Sequence, residues 1–218
     1  MSGHGTTPPP VYGLLLSGGA STRMQRDKAH VEYRGEPQLL RAWRLLGEVT
    51  EQAFVSVRED QRGDPLRAGL PMLVDSYDSI GPAAGILSAQ DAYPGAAWLV
   101  LACDLPLMTT RLLRWLAEVP TKSTVIPVVE GRAQPLCSRW SAADLHRLVE
   151  LFAGGYRAFK TMYENLDIAF VDEREWGAVA SARIFTDTDA PEDLERLGIV
   201  WEVGGAKVDA AGRIAGQR

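Results

Sequence analysis

The most constraining feature of this chain is the uninterrupted apolar run Ala96–Cys103, AAWLVLAC, which ends directly on Asp104. It falls far short of the roughly 20 apolar residues that a membrane-crossing helix needs, and reads as a buried strand. Other segments repeat the pattern. Val11–Leu16 is a short apolar run broken by Ser17-Gly18-Gly19, as expected of a first strand entering a glycine loop. Ala53–Val57 and Met72–Val74 are further strand candidates. Val125–Val129 and Pro135–Trp140 flank the Gly131-Arg132 turn, and Ile168–Val171 and Arg183–Phe185 read as late strands. Helices fall between them. Pro37 opens one with Leu39, Leu40, Trp43 and Leu46 on one face, and Pro82 starts another. Thr109 or Thr110 can cap a third, with Leu112, Leu113 and Leu116 facing inward. Ser141 with Asp144 resembles a capping box for a helix carrying Leu145, Leu148, Val149 and Phe152. A further helix places Phe159, Met162, Tyr163 and Leu166 together, and Pro191 opens a last one ending near Leu197.

This alternation predicts an α/β fold, a mainly parallel sheet with helices on both faces in a Rossmann-like arrangement. Ligands bind beyond the carboxyl ends of such strands. Functional residues are therefore expected just after Leu16, Val57, Val74 and Cys103.

Composition narrows the function. A length of 218 residues favours one domain over two, and 46% hydrophobic content is ordinary for a globular core. The net charge of −5 argues against a general nucleic-acid surface. The opening MSGHGTTPPP lacks a basic segment followed by an apolar one, so no signal peptide is expected. Cys103 and Cys137 alone support neither a disulfide framework nor a structural zinc site, which fits a reducing, cytoplasmic compartment. His4, His30 and His146 are scattered without metal-ligand spacing, and no Ser-His or Cys-His pairing is suggested.

Chemistry concentrates in Leu16-Ser17-Gly18-Gly19-Ala20-Ser21-Thr22-Arg23-Met24-Gln25-Arg26-Asp27-Lys28. Small residues let backbone approach a ligand, and successive N–H groups in a tight loop form an anion nest. Arg23, Arg26 and Lys28 bring three cations into six residues of an acidic protein. Neither the Walker loop nor the dinucleotide G-x-G-x-x-G pattern fits. The plain alternative is a glycine turn followed by a solvated charged loop.

The stretch LSGGASTRMQRDKA resembles the signature of the MobA-type molybdenum cofactor guanylyltransferases and their nucleotidyltransferase relatives. Further matches follow in order: Asp75 ahead of Gly81-Pro82-Ala83-Ala84-Gly85, then Cys103-Asp104-Leu105-Pro106. Gly131-Arg132-Ala133-Gln134-Pro135-Leu136 and Asp187-Thr188-Asp189-Ala190-Pro191-Glu192-Asp193 complete the set. Gln25 stands where the family usually has glycine. The resemblance implies a single nucleotidyltransferase domain over residues 11–198. It leaves 1–10 as an N-terminal segment expected to be disordered and 199–218 as a C-terminal extension without an assigned role.

It further implies that Asp104 binds Mg²⁺, with Asp187 or Asp189 completing the metal site and Asp189 preferred. Arg23, Lys28 and Asp104 would act in catalysis. Leu16, Ser17, Gly18, Gly19, Lys28, Ser56, Asp75, Gly85 and Asp104 would bind nucleotide. Asp104 and Asp189 could instead be helix caps, and Asp75 an Asx-turn residue. The implied reaction transfers GMP from GTP to the molybdopterin phosphate with release of pyrophosphate. It leaves room for contact with other cofactor-biosynthesis proteins, and implies no nucleic-acid or membrane partner. The Leu16–Gly19 and Gly81–Gly85 stretches favour guanine. The Asp187-Thr188-Asp189 form is seen in other branches, so CTP, or a sugar or polyol phosphate acceptor, is the nearest alternative. A nucleotide-binding regulator without turnover, motivated by Gln25, is the alternative of another class.

Overall fold

The structure is a computed structural model and describes residues 9–17, 28–33, 35–77, 80–156, 162–188, 193, 201–203 and 206–208. Strand β1 (Val11–Leu16) is followed by the short β2 (Glu32–Tyr33) and β3 (Glu36–Pro37), then helix α1 (Gln38–Gly47). Next come β4 (Gln52–Val57), β5 (Met72–Val74), α2 (Ala83–Ala92), β6 (Ala97–Ala102) and α3 (Thr110–Glu118). The second half holds β7 (Thr124–Val129), β8 (Arg132–Ala133), β9 (Cys137–Trp140), α4 (Ala142–Ala153), β10 (Ile168–Val171) and α5 (Glu173–Trp176). The short strands β11 (Trp201–Val203) and β12 (Ala206–Val208) pair with each other.

The main sheet runs β10-β7-β9-β6-β1-β4-β5, with β8 paired to β7. Strands β6, β1, β4 and β5 are mutually parallel, and β10 is parallel to β7. Strand β9 runs antiparallel to both β6 and β7. The sheet is thus mixed but mainly parallel: along this path β9 runs against the other six strands, and β8 runs antiparallel to β7.

Two cores lie on opposite faces of the sheet, and the two-residue period of a strand assigns side chains to them. Leu15, Val55, Leu99 and Leu101 join one core with α1, α3 and Trp176. Leu14, Leu16, Phe54, Trp98 and Val100 join the other with α2 and α4. Every residue of β6 is buried, because helices cover both faces and strands flank both edges. In α1 the buried face is Leu39, Ala42, Leu45 and Leu46. Leu40 and Trp43, expected on that face, are only partly covered, and the Trp43 indole donates to the Ala53 carbonyl (3.2 Å).

The second half is held by two buried charges. Asp144 accepts from the Thr124 amide (3.1 Å), Thr124 Oγ1 (2.7 Å), Ser141 Oγ (2.7 Å) and the Asp167 amide (2.8 Å). It therefore ties α4 to β7 and to the residue ahead of β10, beyond its cap at Ser141. The Arg139 guanidinium donates to the carbonyls of Ala117, Val119 and Thr121 (2.9, 2.9 and 2.7 Å), closing the end of α3.

Several expected elements differ. Arg183–Phe185 is no strand but part of a 3₁₀ turn, Ala182–Phe185, whose Ile184 and Phe185 pack into the core. Asp187 therefore follows a turn and not a strand. Helix α5 was not expected; Asp172 caps it, accepting from the Arg174 amide (2.9 Å). The segment around Phe159 and the helix at Pro191 fall largely outside the described residues. Among the described residues no helix is long and apolar enough to cross a membrane.

Candidate active site

The carboxyl ends of four parallel strands are laced into one row. Beyond β1, Ser17 donates from Oγ (2.9 Å) and from its amide (3.4 Å) to the Ser56 carbonyl on β4. The Asp75 amide, beyond β5, donates to the Val57 carbonyl (2.8 Å), and the Cys103 amide donates to the Leu16 carbonyl (3.1 Å). Ser17, Ser56, Asp75 and Asp104 thus stand along one edge, where the parallel topology predicts a ligand.

Within the row, Ser56 Oγ donates to Asp75 Oδ1 (2.7 Å). Burial raises the Asp75 carboxyl above its ordinary value, against the opposing pull of the Ser56 hydrogen bond and the Arg58 charge. The carboxylate is consequently ready to gain a hydrogen-bond donor. Gly85, on the first turns of α2, packs against this pair. A Cβ there would lie 2.8 Å from Leu16 Cδ2 and 2.9 Å from Ser56 Cβ, so the helix reaches the row only without a side chain. Leu16 itself is buried in the core and contributes its carbonyl to Cys103.

At the other end, Lys28 Nζ donates to Asp104 Oδ2 at 3.2 Å, both side chains partly exposed. The late motif joins them. The Thr188 amide (3.0 Å) and Thr188 Oγ1 (3.3 Å) both donate to the Asp104 carbonyl, so Thr188 lies against the Asp104 backbone. No group of three or more His, Cys, Asp or Glu that would hold a metal occurs among the described residues. A magnesium site shared with a triphosphate takes only one or two carboxylates, and the partly exposed Asp104, already facing a cation, suits that donor set.

The expected site residues Leu16, Ser17, Lys28, Ser56, Asp75, Gly85 and Asp104 are therefore brought to one sheet edge. Gly18, Gly19, Arg23 and Asp189 lie outside the described residues. Sequence reasoning missed Arg67. It is fully buried, donating from Nε to Ser17 Oγ (3.3 Å) and from Nη2 to the Ser17 carbonyl (3.4 Å), with Asp64 on Nη1. It also passed over His30, whose Nε2–H donates to Asp64 Oδ1 (3.2 Å). Burial alone would raise Asp64, but the Leu66 amide, His30 and Arg67 outweigh it and hold the carboxyl below its ordinary value. Only the polar spacing of Asp64 and Arg67 hinted at this pair.

Fold and site together define an α/β protein in which a cation and a carboxylate meet at the end of the central parallel strands. The chain belongs to the family of the MobA-like NTP transferase domain, which matches residues 13–179. It is 41% identical over 126 residues to a molybdenum cofactor biosynthesis bifunctional protein of Synechocystis, covering 57% of this chain and 36% of that longer protein. It is 29% identical to a probable molybdenum cofactor guanylyltransferase of Halalkalibacterium halodurans, covering 84% of this chain and 94% of the relative. The solved structure of molybdopterin-guanine dinucleotide biosynthesis protein A from Archaeoglobus fulgidus has the same fold. It superposes with a TM-score of 0.70 at 21% identity, covering 85% of this chain and 95% of that one.

Proposed function

We propose that the protein is a cytoplasmic molybdenum cofactor guanylyltransferase that transfers GMP from GTP to the phosphate of molybdopterin and releases pyrophosphate. The observation that carries the reading is the Lys28–Asp104 pair, a cation and a carboxylate drawn from 76 residues apart to the end of β6. The names borne by relatives that align over most of this chain support the substrates.

A phosphate oxygen of molybdopterin attacks the α-phosphorus of GTP, and the bond to the β-phosphate oxygen breaks, leaving pyrophosphate. A phosphate monoester has its second pKa near ~6, so the nucleophile is already ionised at neutral pH and no general base is required. The obstacle is the meeting of two anions. Lys28 supplies a fixed positive charge at that point, and Arg23 is proposed to supply another. Ser17, hydrogen-bonded to the Ser56 carbonyl beside Asp75, orients the nucleoside end, where Asp75 accepts donors from the base or ribose. Mg²⁺, held by Asp104 and by Asp187 or Asp189, would add positive charge along the triphosphate.

The test is kcat/KM for GTP and for CTP with the same molybdopterin acceptor and Mg²⁺, read by pyrophosphate release. GTP is expected to be preferred. A preference for CTP overturns the guanine assignment, and absence of pyrophosphate with both nucleotides overturns molybdopterin as the acceptor.

A further inference from the structure

Arg67 occupies a costly position. Its side chain is 0% exposed, and an arginine cannot shed its charge when buried, so the guanidinium needs partners on every side. Nothing in the core demands it, since an apolar side chain of similar volume would pack without that cost. The partners it has are specific. One edge of the guanidinium grips Ser17, through both the side-chain oxygen (3.3 Å) and the carbonyl (3.4 Å). Its Nη1 is held by Asp64 Oδ2. The second carboxylate oxygen, Asp64 Oδ1, accepts from the Leu66 amide (3.1 Å) and from His30 (3.2 Å). His30 belongs to the same 3₁₀ turn as Lys28, Lys28–His30.

One carboxylate is therefore connected, through one intervening side chain on each side, to both ends of the glycine motif. Through Arg67 it reaches Ser17, where the motif leaves β1; through His30 it reaches the turn that presents Lys28 to Asp104. The segment between β4 and β5 that carries Asp64 and Arg67 has no other evident reason to hold these two points together. We infer that Arg67 and Asp64, with His30, form a bracket that fixes the separation of Ser17 from Lys28, and that they act as positioning residues for nucleotide binding without touching the nucleotide. The inference rests on the nucleotide site proposed above and adds to it three residues outside the family motif. A bracket of this kind sets affinity by pre-ordering: a site whose two anchors are already spaced for a triphosphate loses less freedom when the ligand arrives.

The experiment titrates Mg²⁺·GTP into the full chain and into His30→Ala, His30→Gln, Asp64→Asn and the pair Asp64→Asn/His30→Ala, with the melting temperature of each ligand-free protein measured alongside. The His30 side chain is half exposed, so His30→Ala is expected to melt with the wild type. Its Kd for GTP should nevertheless rise about threefold to fivefold, the size of one partly exposed charged contact. His30→Gln, whose amide still donates to Asp64, should restore the wild-type Kd. Asp64→Asn should weaken GTP about tenfold, because it loosens both arms. Adding His30→Ala to it should cost less than it does in the wild type, since the carboxylate charge that held the imidazole is already gone. A His30→Ala protein that binds GTP as tightly as the wild type, or a doubly substituted protein in which the two losses simply multiply, overturns the bracket. If Asp64→Asn fails to fold, the His30→Ala and His30→Gln comparison still decides. A wild-type protein that binds no nucleotide overturns the proposed function, and the bracket with it; wild-type binding with indifferent variants overturns the bracket alone.

Discussion

Replacing Lys28 with alanine separates two roles that the structure superimposes on one side chain. In the ligand-free protein its ammonium is 3.2 Å from Asp104, with the side chains 20% and 28% exposed. Two unit charges about 4 Å apart attract by about 4 kcal/mol at an effective dielectric of about 20. Solvent screening and the entropy of holding a long side chain reduce such a partly exposed pair to about 1 kcal/mol. Unfolding stability should therefore fall by that small amount in Lys28→Ala. Catalysis should fall much further, because the same charge is proposed to face the phosphates in the transition state. Loss of one well-placed charge stabiliser costs roughly 10²–10³ in rate, about 2.7–4 kcal/mol. Lys28→Arg should recover only part of it, a planar fork replacing a compact ammonium. A third readout runs the opposite way. With its counter-ion removed, Asp104 should bind Mn²⁺ in the absence of nucleotide about fivefold more tightly. Urea unfolding, pyrophosphate release and Mn²⁺ titration by electron paramagnetic resonance measure the three quantities. A Lys28→Ala protein that turns over GTP at the wild-type rate refutes the reasoning, whatever its stability.

Asp104→Asn should abolish turnover while leaving the melting temperature within a few degrees, because an amide keeps the shape and loses the charge a hard cation needs; near-normal activity at limiting Mg²⁺ would remove Asp104 from the metal site. Gly85→Ala forces a methyl against Leu16 and Ser56. It should cost about 1–3 kcal/mol in urea unfolding and weaken GTP binding by displacing the Ser56–Asp75 pair. Asp75→Asn tests the cost of the buried carboxylate. Because the folded-state pKa is raised, the native protein takes up its proton more readily than the unfolded chain, and wild-type stability declines as pH rises through that window. The variant escapes the decline. It should match or exceed the wild type in urea at neutral pH, lose that advantage below the ordinary carboxylate value, and bind GTP more weakly. Equal destabilisation at both pH values would contradict the shift.

The part of the fold built on β1, β4, β5 and β6 was legible because its strands are short apolar runs that end on the residues of interest. The rule that ligands gather beyond strand carboxyl ends placed Ser17, Ser56, Asp75 and Asp104 on one edge, where they are. What stayed hidden depended on contacts remote in sequence. The reversed direction of β9 leaves no trace in Cys137–Trp140, since a buried strand has the same composition either way. Ile184 and Phe185 are apolar whether they lie in a strand or, as here, plug the core beside Trp176 from a 3₁₀ turn. Helix α5 is too short for a helical period to declare itself. Arg67 lies in REDQRGDPLRAGL, which reads as a solvated loop until Ser17, 50 residues away, supplies acceptors.

The order of the strands also governs how this protein comes into being. The contacts that assemble the edge span 39 residues from Ser17 to Ser56, 50 from Ser17 to Arg67 and 76 from Lys28 to Asp104. None can form early by local chain collapse, and each closes a long loop before it gains anything in return. A chain still being synthesised has no such edge until β6 has emerged and docked beside β1. Nucleotide binding should accordingly appear late in refolding, in step with the docking of the central strands, and serve as a stringent reporter that the sheet is complete.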